Sequence, residues 1–339
     1  MTSPVPASLG LSPDEVTAVL EAAALAPSVH NSQPWRFRVL PDRIELHADL
    51  TRRLPAADRD DKELRLACGA ALTNLRIALE AFGIRPVVTL LPGRTGAEAL
   101  ATVRHGGHVT PSDQVLDLRR AIPNRHTNRK PFRDTAVTPT QLNQLARAAQ
   151  SERSWLHPIT DPAQRSRLHA LVARAHQIQL ANVEFRAELE HWSGHGGDRR
   201  DGVPARSAGP AHEPQDQWVL RDFSGGHARE RVPGKDFERE PLIAVVCSYY
   251  EGALAELHAG QAMQRVLLTA ATLGLSASFI AQPIEVPACR QELRRLLGAG
   301  ITAQTILRVG YGSPVAPTPR RPVAELLIDA APALPGGTP

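Results

Sequence analysis

Ser12-Pro13-Asp14-Glu15-Val16, with Val19-Leu20-Glu21-Ala22-Ala23 close behind, finds its match in Thr138-Pro139-Thr140-Gln141-Leu142 and Leu145-Ala146-Arg147-Ala148-Ala149. In both stretches a hydroxyl residue stands at the helix cap, Pro takes the first helical position, and Glu or Gln follows three residues after the cap. This is the capping-box pattern, which satisfies backbone N–H groups that a first helical turn leaves without partners. A second pair follows in the same order. Cys68-Gly69-Ala70-Ala71-Leu72, running to Ala81-Phe82-Gly83-Ile84, matches Ala259-Gly260-Gln261-Ala262-Met263, running to Thr272-Leu273-Gly274-Leu275. Each run closes a helix on a C′ glycine and resumes with strand-forming residues. The first pair is offset by about 126 residues and the second by about 191, so about 65 residues are inserted in the second copy. Two ordered matches imply tandem duplication: an α+β fold made of a first half, residues 1–118, and a second half, residues 119–339.

Composition narrows the function. The chain has 339 residues, 42% of them hydrophobic, enough for sizeable cores. Its net charge is +4, with the arginines spread out and no Lys/Arg block, so nothing favours nucleic-acid binding. Cys68, Cys247 and Cys289 are odd in number and far apart. They fit reduced, buried thiols rather than a disulfide frame or a zinc site, and the expected location is cytoplasmic. The N-terminus has neither the basic start nor the apolar core of a signal peptide. Val266–Ile284 carries no charge but is interrupted by Thr269, Thr272, Gly274, Ser276, Ser278, Gln282 and Pro283. It reads as a buried helix and strand, not as a membrane span.

The periodicity predicts helices at 13–25 and 63–82 and strands at 35–40, 44–48, 87–91 and 100–104 in the first half. Leu64, Cys68, Ala71, Leu75, Leu79 and Phe82 fall on one helical stripe. In the second half helices are expected at 139–149, 162–192, 255–273 and 287–297, and strands at 155–159, 242–249, 277–281 and 305–309. Each half should carry a mixed sheet, with the long central helices packing the halves together. Residues 193–240 are rich in Gly, Pro, Arg, Asp and His and read either as a loosely held lid or as a surface loop. His105-Gly106-Gly107-His108 reads as a polar turn, with no Cys or carboxylate at metal-ligand spacing. Tyr249-Tyr250 are expected to end a strand and pack on the core.

Two short segments carry chemistry. Ala26-Pro27-Ser28-Val29-His30-Asn31-Ser32-Gln33-Pro34-Trp35 lies between the first helix and first strand. Its prolines hold the backbone extended, and Ser28, Asn31 and Gln33 supply short polar side chains. That suits the edge of a flat heteroaromatic ligand, and it equally suits an ordinary capped loop. Arg125-His126-Thr127-Asn128-Arg129 opens the second copy, and Arg320-Arg321 ends a proline-rich tail. Guanidinium forks bind phosphate bidentately, although such arginines also occur as solvated surface charges.

In combination, the Pro-Ser-x-x-Asn-x-Gln-Pro-Trp segment, the Arg-His-Thr-x-Arg segment and the terminal Arg pair resemble the FMN-contacting parts of the nitroreductase family. The double length is similar to the fused, Acg-type NAD(P)H nitroreductases of actinobacteria. The resemblance implies a nitroreductase fold in which two tandem half-units form an intramolecular pseudo-dimer, a monomer mimicking the family's intertwined homodimer. It implies that Pro27, Ser28, Val29 and Asn31 line the flavin ring and ribityl chain. Arg125, His126, Thr127 and Arg129 would hold the phosphate and ribityl, Arg320 and Arg321 would close over the phosphate, and residues 278–282 would face the reactive ring edge. The first copy has no arginine in 1–11, and the second has Ser151-Glu152-Arg153-Ser154-Trp155 where the loop motif would stand, so each half keeps what the other lacks and one FMN site per chain is implied. The flavin would carry hydride from NAD(P)H to a nitroaromatic, quinone or other small-molecule acceptor in a ping-pong cycle, with no catalytic side chain required. The alternative is an FMN-sequestering protein, its flavin covered by the 193–240 segment through Trp218 or Phe223.

Overall fold

The computed structural model describes residues 5–93, 99–196, 198–210, 213, 217–228, 240–298 and 300–328. Helix α1 (Pro13–Ala24) leads to strands β1 (Trp35–Leu40) and β2 (Arg43–Ala48), helix α2 (Lys62–Ala81), and strands β3 (Ile84–Leu90) and β4 (Ala101–His108). Helix α3 (Asp113–Ala121) connects the halves and packs on α2. The division between residues 118 and 119 therefore falls inside a helix. The second half comprises α4 (Pro139–Gln150), β5 (Trp155–Pro158), α5 (Pro162–Ala181), α6 (Val183–Trp192), β6 (Leu242–Ser248), α7 (Ala253–Thr272), β7 (Ser276–Phe279), α8 (Gln282–Glu285), α9 (Pro287–Leu297), β8 (Thr302–Gly310) and α10 (Val323–Leu326).

Both capping boxes form. Ser12 Oγ accepts the Glu15 N–H at 3.4 Å while the Glu15 carboxylate accepts the Ser12 N–H at 2.8 Å, and Thr138 and Gln141 exchange the same two bonds at 3.2 and 3.0 Å. The duplication extends to topology. The sheets run β1-β2-β4-β3 and β5-β6-β8-β7, the same order with corresponding strands in corresponding places. The elements without a counterpart in the first half lie between β5 and β6 (α5, α6 and the segment beyond) and between β7 and β8 (α8 and α9).

Every strand pair in both sheets is antiparallel, which corrects the expectation of mixed sheets. The tight turn between β1 and β2 allows only antiparallel pairing, and each later strand enters beside a neighbour running the opposite way. Among the described residues parallel pairing is confined to isolated bridges. The expected 162–192 helix breaks at Asn182, whose side chain accepts the N–H groups of Glu184 (2.8 Å) and Phe185 (3.2 Å) and starts α6 afresh. His105 to His108 belong to β4 rather than to a turn. Tyr249 and Tyr250 are 71% and 76% exposed instead of core-packed, because β6 has already ended at Ser248. Cys68, Cys247 and Cys289 are buried and free. Among the described residues no helix is long and apolar enough to cross a membrane.

The halves meet at the crossing of α2 and α7. Leu64, Cys68, Ala71, Leu75 and Leu79 are buried as the stripe predicts, whereas Phe82 caps the helix and is 39% exposed. Gly69 faces Gly260. A Cβ on Gly69 would overlap the Leu257 carbonyl oxygen, and a Cβ on Gly260 would overlap the Leu66 carbonyl oxygen. The two clashes are images of each other under the same offset that relates the two copies, so the crossing is an internal twofold contact. Thr73 Oγ1 donates to Gln261 O at 3.2 Å, and Gln264 donates to Asn74 Oδ1 at 2.7 Å, satisfying polar groups in the seam. After β8 the chain returns to the first half, where Leu327 bridges Phe37 and the Ile328 N–H donates to Phe37 O at 2.8 Å.

Gly260→Ala is expected to destabilise the chain by at least about 1–3 kcal/mol, the usual cost of overpacking a close contact. Denaturant unfolding measures this, and an unchanged midpoint would show that the crossing is loose. A second prediction concerns Lys62, which is 4% exposed and donates to Ala303 O at 3.0 Å. Burial pushes its amine down to about 8. Between pH 8 and the normal lysine value, about 10.4, the unfolded chain binds the extra proton, so stability rises with pH across that window. The increment is up to about 3 kcal/mol, and Lys62→Met removes it from the pH–stability profile.

Candidate active site

A cleft, open at its mouth, lies against the α2–α7 seam. Pro27, Ser28, Val29 and His30 come from the first half, and Leu66, Ala67 and Glu63 from α2. The second half supplies Thr127, Arg129, Met263, Ser278, Phe279 and Gln282, and the segment after α6 supplies Trp218, Leu220, Arg221 and Phe223.

The loop after α1 is bent sharply. His30, Asn31 and Gln33 take positive φ values of 52°, 56° and 53°, a cluster of left-handed non-glycine residues that local bonding must hold. The Gln33 N–H donates to Ser28 Oγ at 2.9 Å. Asn31 Nδ2 donates to Gly202 O and Pro319 O, both at 3.0 Å, and Asn31 Oδ1 accepts from Arg320 at 2.8 Å. Gln33 donates to Arg200 O at 2.9 Å and accepts the Arg321 N–H at 2.8 Å. The two amides thus stitch together three distant segments and turn Pro27 to His30 toward the cleft.

The Arg-His-Thr-x-Arg segment lies along β7. Thr127 bridges Ala277, and the Asn128 N–H donates to Ala277 O at 2.8 Å. Arg308 of β8, 1% exposed, donates to Asn128 O at 2.9 Å, to Lys130 O at 2.8 Å and to Ser278 Oγ at 2.9 Å, and so fixes the segment from beneath. Its identity within an ordinary strand pattern gave no signal of this role.

The expected site residues therefore separate. Pro27, Ser28, Val29, Thr127 and Arg129 line the cleft. Asn31 stands behind the wall with its amide engaged. Arg125 is buried; its Nη2 donates to Leu25 O at 3.3 Å and its Nε has no partner among the described residues. Arg320 donates to Ala24 O, Leu25 O and Ala26 O, capping the carbonyl end of α1, as well as to Asn31 and Thr318. His126 lies near both guanidiniums; burial, then the charges of Arg125 and Arg320, lower its pKa. Arg321 turns away and pairs with Asp49 at 3.3 Å and Glu325 at 3.4 Å.

The site is electropositive and strained by it. Burial pushes Arg125 down to about 10, and burial with repulsion from Arg125 pushes Arg320 to about 9. Arg129 falls to about 10 through burial and repulsion from Arg221. Its guanidinium lies 4.3 Å from the ring centre of Phe223, which also meets His30 edge-on at 5.8 Å. Arg221 is held by Glu285 and by Gln179, whose Oε1 accepts at 2.9 Å. His30, 3% exposed, has no hydrogen-bond partner on either ring nitrogen among the described residues; burial, Arg221 and Arg129 keep it neutral. Sequence reading missed His30, Glu63 and Arg221. The first hides inside the loop motif and the second reads as a helix-dipole residue. The third sits in a stretch without periodicity.

Comparison with known proteins adds the family. A model of the nitroreductase family matches residues 7–57. The Mycobacterium tuberculosis H37Rv protein "Putative NAD(P)H nitroreductase Rv3131" is 33% identical over 320 residues, covering 93% of this chain and 91% of that one. "Putative NAD(P)H nitroreductase acg" from the same strain is 29% identical over 321 residues, covering 92% and 95%. Among solved structures, a nitroreductase with bound FMN from Bacteroides fragilis is 13% identical with a TM-score of 0.35, covering 65% of this chain and 98% of that one. Near-complete coverage at this identity, with the family's own segment falling on the cleft loop, has one meaning: this chain belongs to the nitroreductase family.

Proposed function

We propose that the junction cleft binds FMN and that the chain is an NAD(P)H-dependent oxidoreductase, reducing nitroaromatic, quinone or similar small acceptors in a ping-pong cycle. The observation that carries this reading is the composition of the cleft wall. Ring-lining residues from one half and a cationic segment from the other converge on a single site at the seam. The names of the mycobacterial relatives and the FMN in the Bacteroides structure point the same way.

The residues present fit the cofactor. Val29, Leu66, Ala67, Met263 and Phe279 offer apolar walls for a flat ring. Arg125 Nε and both His30 nitrogens are buried donors or acceptors awaiting partners. The mutual repulsion of Arg129 with Arg221 and of Arg125 with Arg320 is relieved by an anion, as a phosphate would supply. When bound, the flavin supplies the hydride chemistry. Thr127 and Arg129 in the cleft wall, with Arg125 behind them, would hold the phosphate, and Val29, Leu66, Ala67, Met263 and Phe279 would flank the ring. The three buried free thiols support a reducing, cytoplasmic setting.

A second reading, flavin sequestration, is favoured by the segment 218–223. Trp218 and Phe223 line the cleft, and Arg221 locks the segment to Glu285. A cover held by a buried ion pair would restrict entry of nicotinamide and acceptor.

FMN is expected to bind more tightly than FAD, and titration with both flavins decides it; tighter FAD would exclude a closed phosphate pocket. Arg125→Ala with Arg129→Ala should weaken FMN binding by about 1.5–3 kcal/mol for each charge-assisted bond lost. Arg321→Ala should leave FMN binding nearly unchanged, because that side chain is committed to Asp49 and Glu325. For turnover, the FMN-loaded chain should oxidise NAD(P)H with menadione as acceptor. Oxidation only after removal of residues 193–240 would establish sequestration instead.

A further inference from the structure

Glu63 lies in the first turn of α2, where a glutamate usually faces water and complements the helix dipole. Here it is 7% exposed, and its Oε2 has no hydrogen-bond partner among the described residues. It lines the junction cleft. Together with Val29 and Ala67 it also lines a small neighbouring cavity, bounded by Ser32, Arg52 and Asp58 among others. Of the three residues shared by the two cavities, only Glu63 titrates.

The groups facing Glu63 come from several elements. Glu285 of α8 and Asp58, from the loop before α2, disfavour its ionised form, while Arg221 from the covering segment and Lys62 beside it favour that form. Burial is the largest influence and holds the carboxyl well above its ordinary range. Arg221 gives little relief because it is already bonded to Glu285 and Gln179. Asp58, raised by burial and by Asp61 and Glu285, accepts the Leu64 N–H at 2.8 Å and stands on the far side of the partition. Glu188 of α6, also raised by burial, is tied to the Ala56 and Ala57 N–H groups.

We infer that Glu63 is the proton donor of the cleft: it passes its carboxyl proton to an oxygen of a two-electron acceptor and is reprotonated from solvent on the side of the smaller cavity. The inference rests on the oxidoreductase reading above. A quinone becomes a hydroquinone by gaining one hydride and one proton. The hydride carries both electrons and comes from a dihydroflavin, which is thereby oxidised. The proton comes from Glu63, whose O–H bond breaks as an O–H bond forms on the product. The carboxylate left behind recovers its proton from solvent.

The test uses the full chain loaded with FMN, in wild-type and Glu63→Gln forms, which match in size and hydrogen-bonding reach. Infrared spectra of the wild type at pH 7 should show a protonated-carboxyl C=O band that Glu63→Gln lacks. After reduction, reoxidation by menadione, which needs a proton, is compared with reoxidation by ferricyanide, which does not. The menadione-to-ferricyanide rate ratio should fall about 100-fold in Glu63→Gln, the usual contribution of a positioned general acid. A merely structural residue would lower both rates together and leave the ratio intact. Should Glu63→Gln not retain the fold, Glu63→Asp keeps an acid at shorter reach and should move the band and lower the ratio partway. A band unaffected by substitution, or an unchanged ratio, overturns the inference. A chain that takes up no flavin overturns the oxidoreductase reading and this inference with it, whereas flavin uptake with an unchanged ratio overturns the role of Glu63 alone.

Discussion

Two backbones touch where α2 and α7 cross, and that contact exists because Gly69 and Gly260 present nothing between them. A methyl group on either would collide with the opposing helix's carbonyl, at Leu257 or Leu66. The approach sets the distance between the two sheets and brings the loop after α1 beside the segment along β7. The cleft is a consequence of this geometry. Its floor is the seam itself, with Leu66 and Ala67 one turn from Gly69, and Met263 one turn from Gly260.

The junction concentrates charge in a place that water reaches poorly. Burying a guanidinium is costly unless oxygens surround it. The fold meets this by placing Arg320 and Arg125 on the carbonyl end of α1, and Arg308 under the backbone of Asn128 and Lys130. These arginines are structural anchors as much as ligand contacts. Arg129 also donates to a carbonyl, Ser207 O at 3.1 Å, but its position differs. It faces the cleft, has Phe223 over it and Arg221 repelling it, and so is the guanidinium best placed to meet an anion. His30, kept neutral by burial, and Glu63, its carboxyl pushed upward by burial, complete the wall. Buried titratable groups with perturbed pKa values in a cleft often mark where a ligand docks.

The duplication was legible because helix ends are governed by local rules. A capping box and a C′ glycine are written in four or five consecutive residues, so Ser12–Glu15, Thr138–Gln141, Gly83 and Gly274 could be read without tertiary information. The cleft loop and the arginine segment were legible as a combination. Strand direction and the exposure of Tyr249 and Tyr250 depend on which element comes to lie alongside, which the local pattern does not encode, whereas the break at Asn182 is a local cap that the long helical pattern masked. Asn31 and Arg320 were read as contacts to a ligand, whereas the structure engages them with each other and with Gly202, Pro319 and the end of α1. Glu63 went unnoticed for the opposite reason: its position in a first turn has an adequate local explanation, and only its burial reveals another.

On the proposed function, one chain serves as its own dimer and assembles a single flavin site across its seam. Flavin stoichiometry taken together with sedimentation mass on the same purified sample tests this. One FMN per chain at the mass of a monomer is the expected result. Two FMN per chain, or flavin bound only at the mass of a dimer, would contradict it.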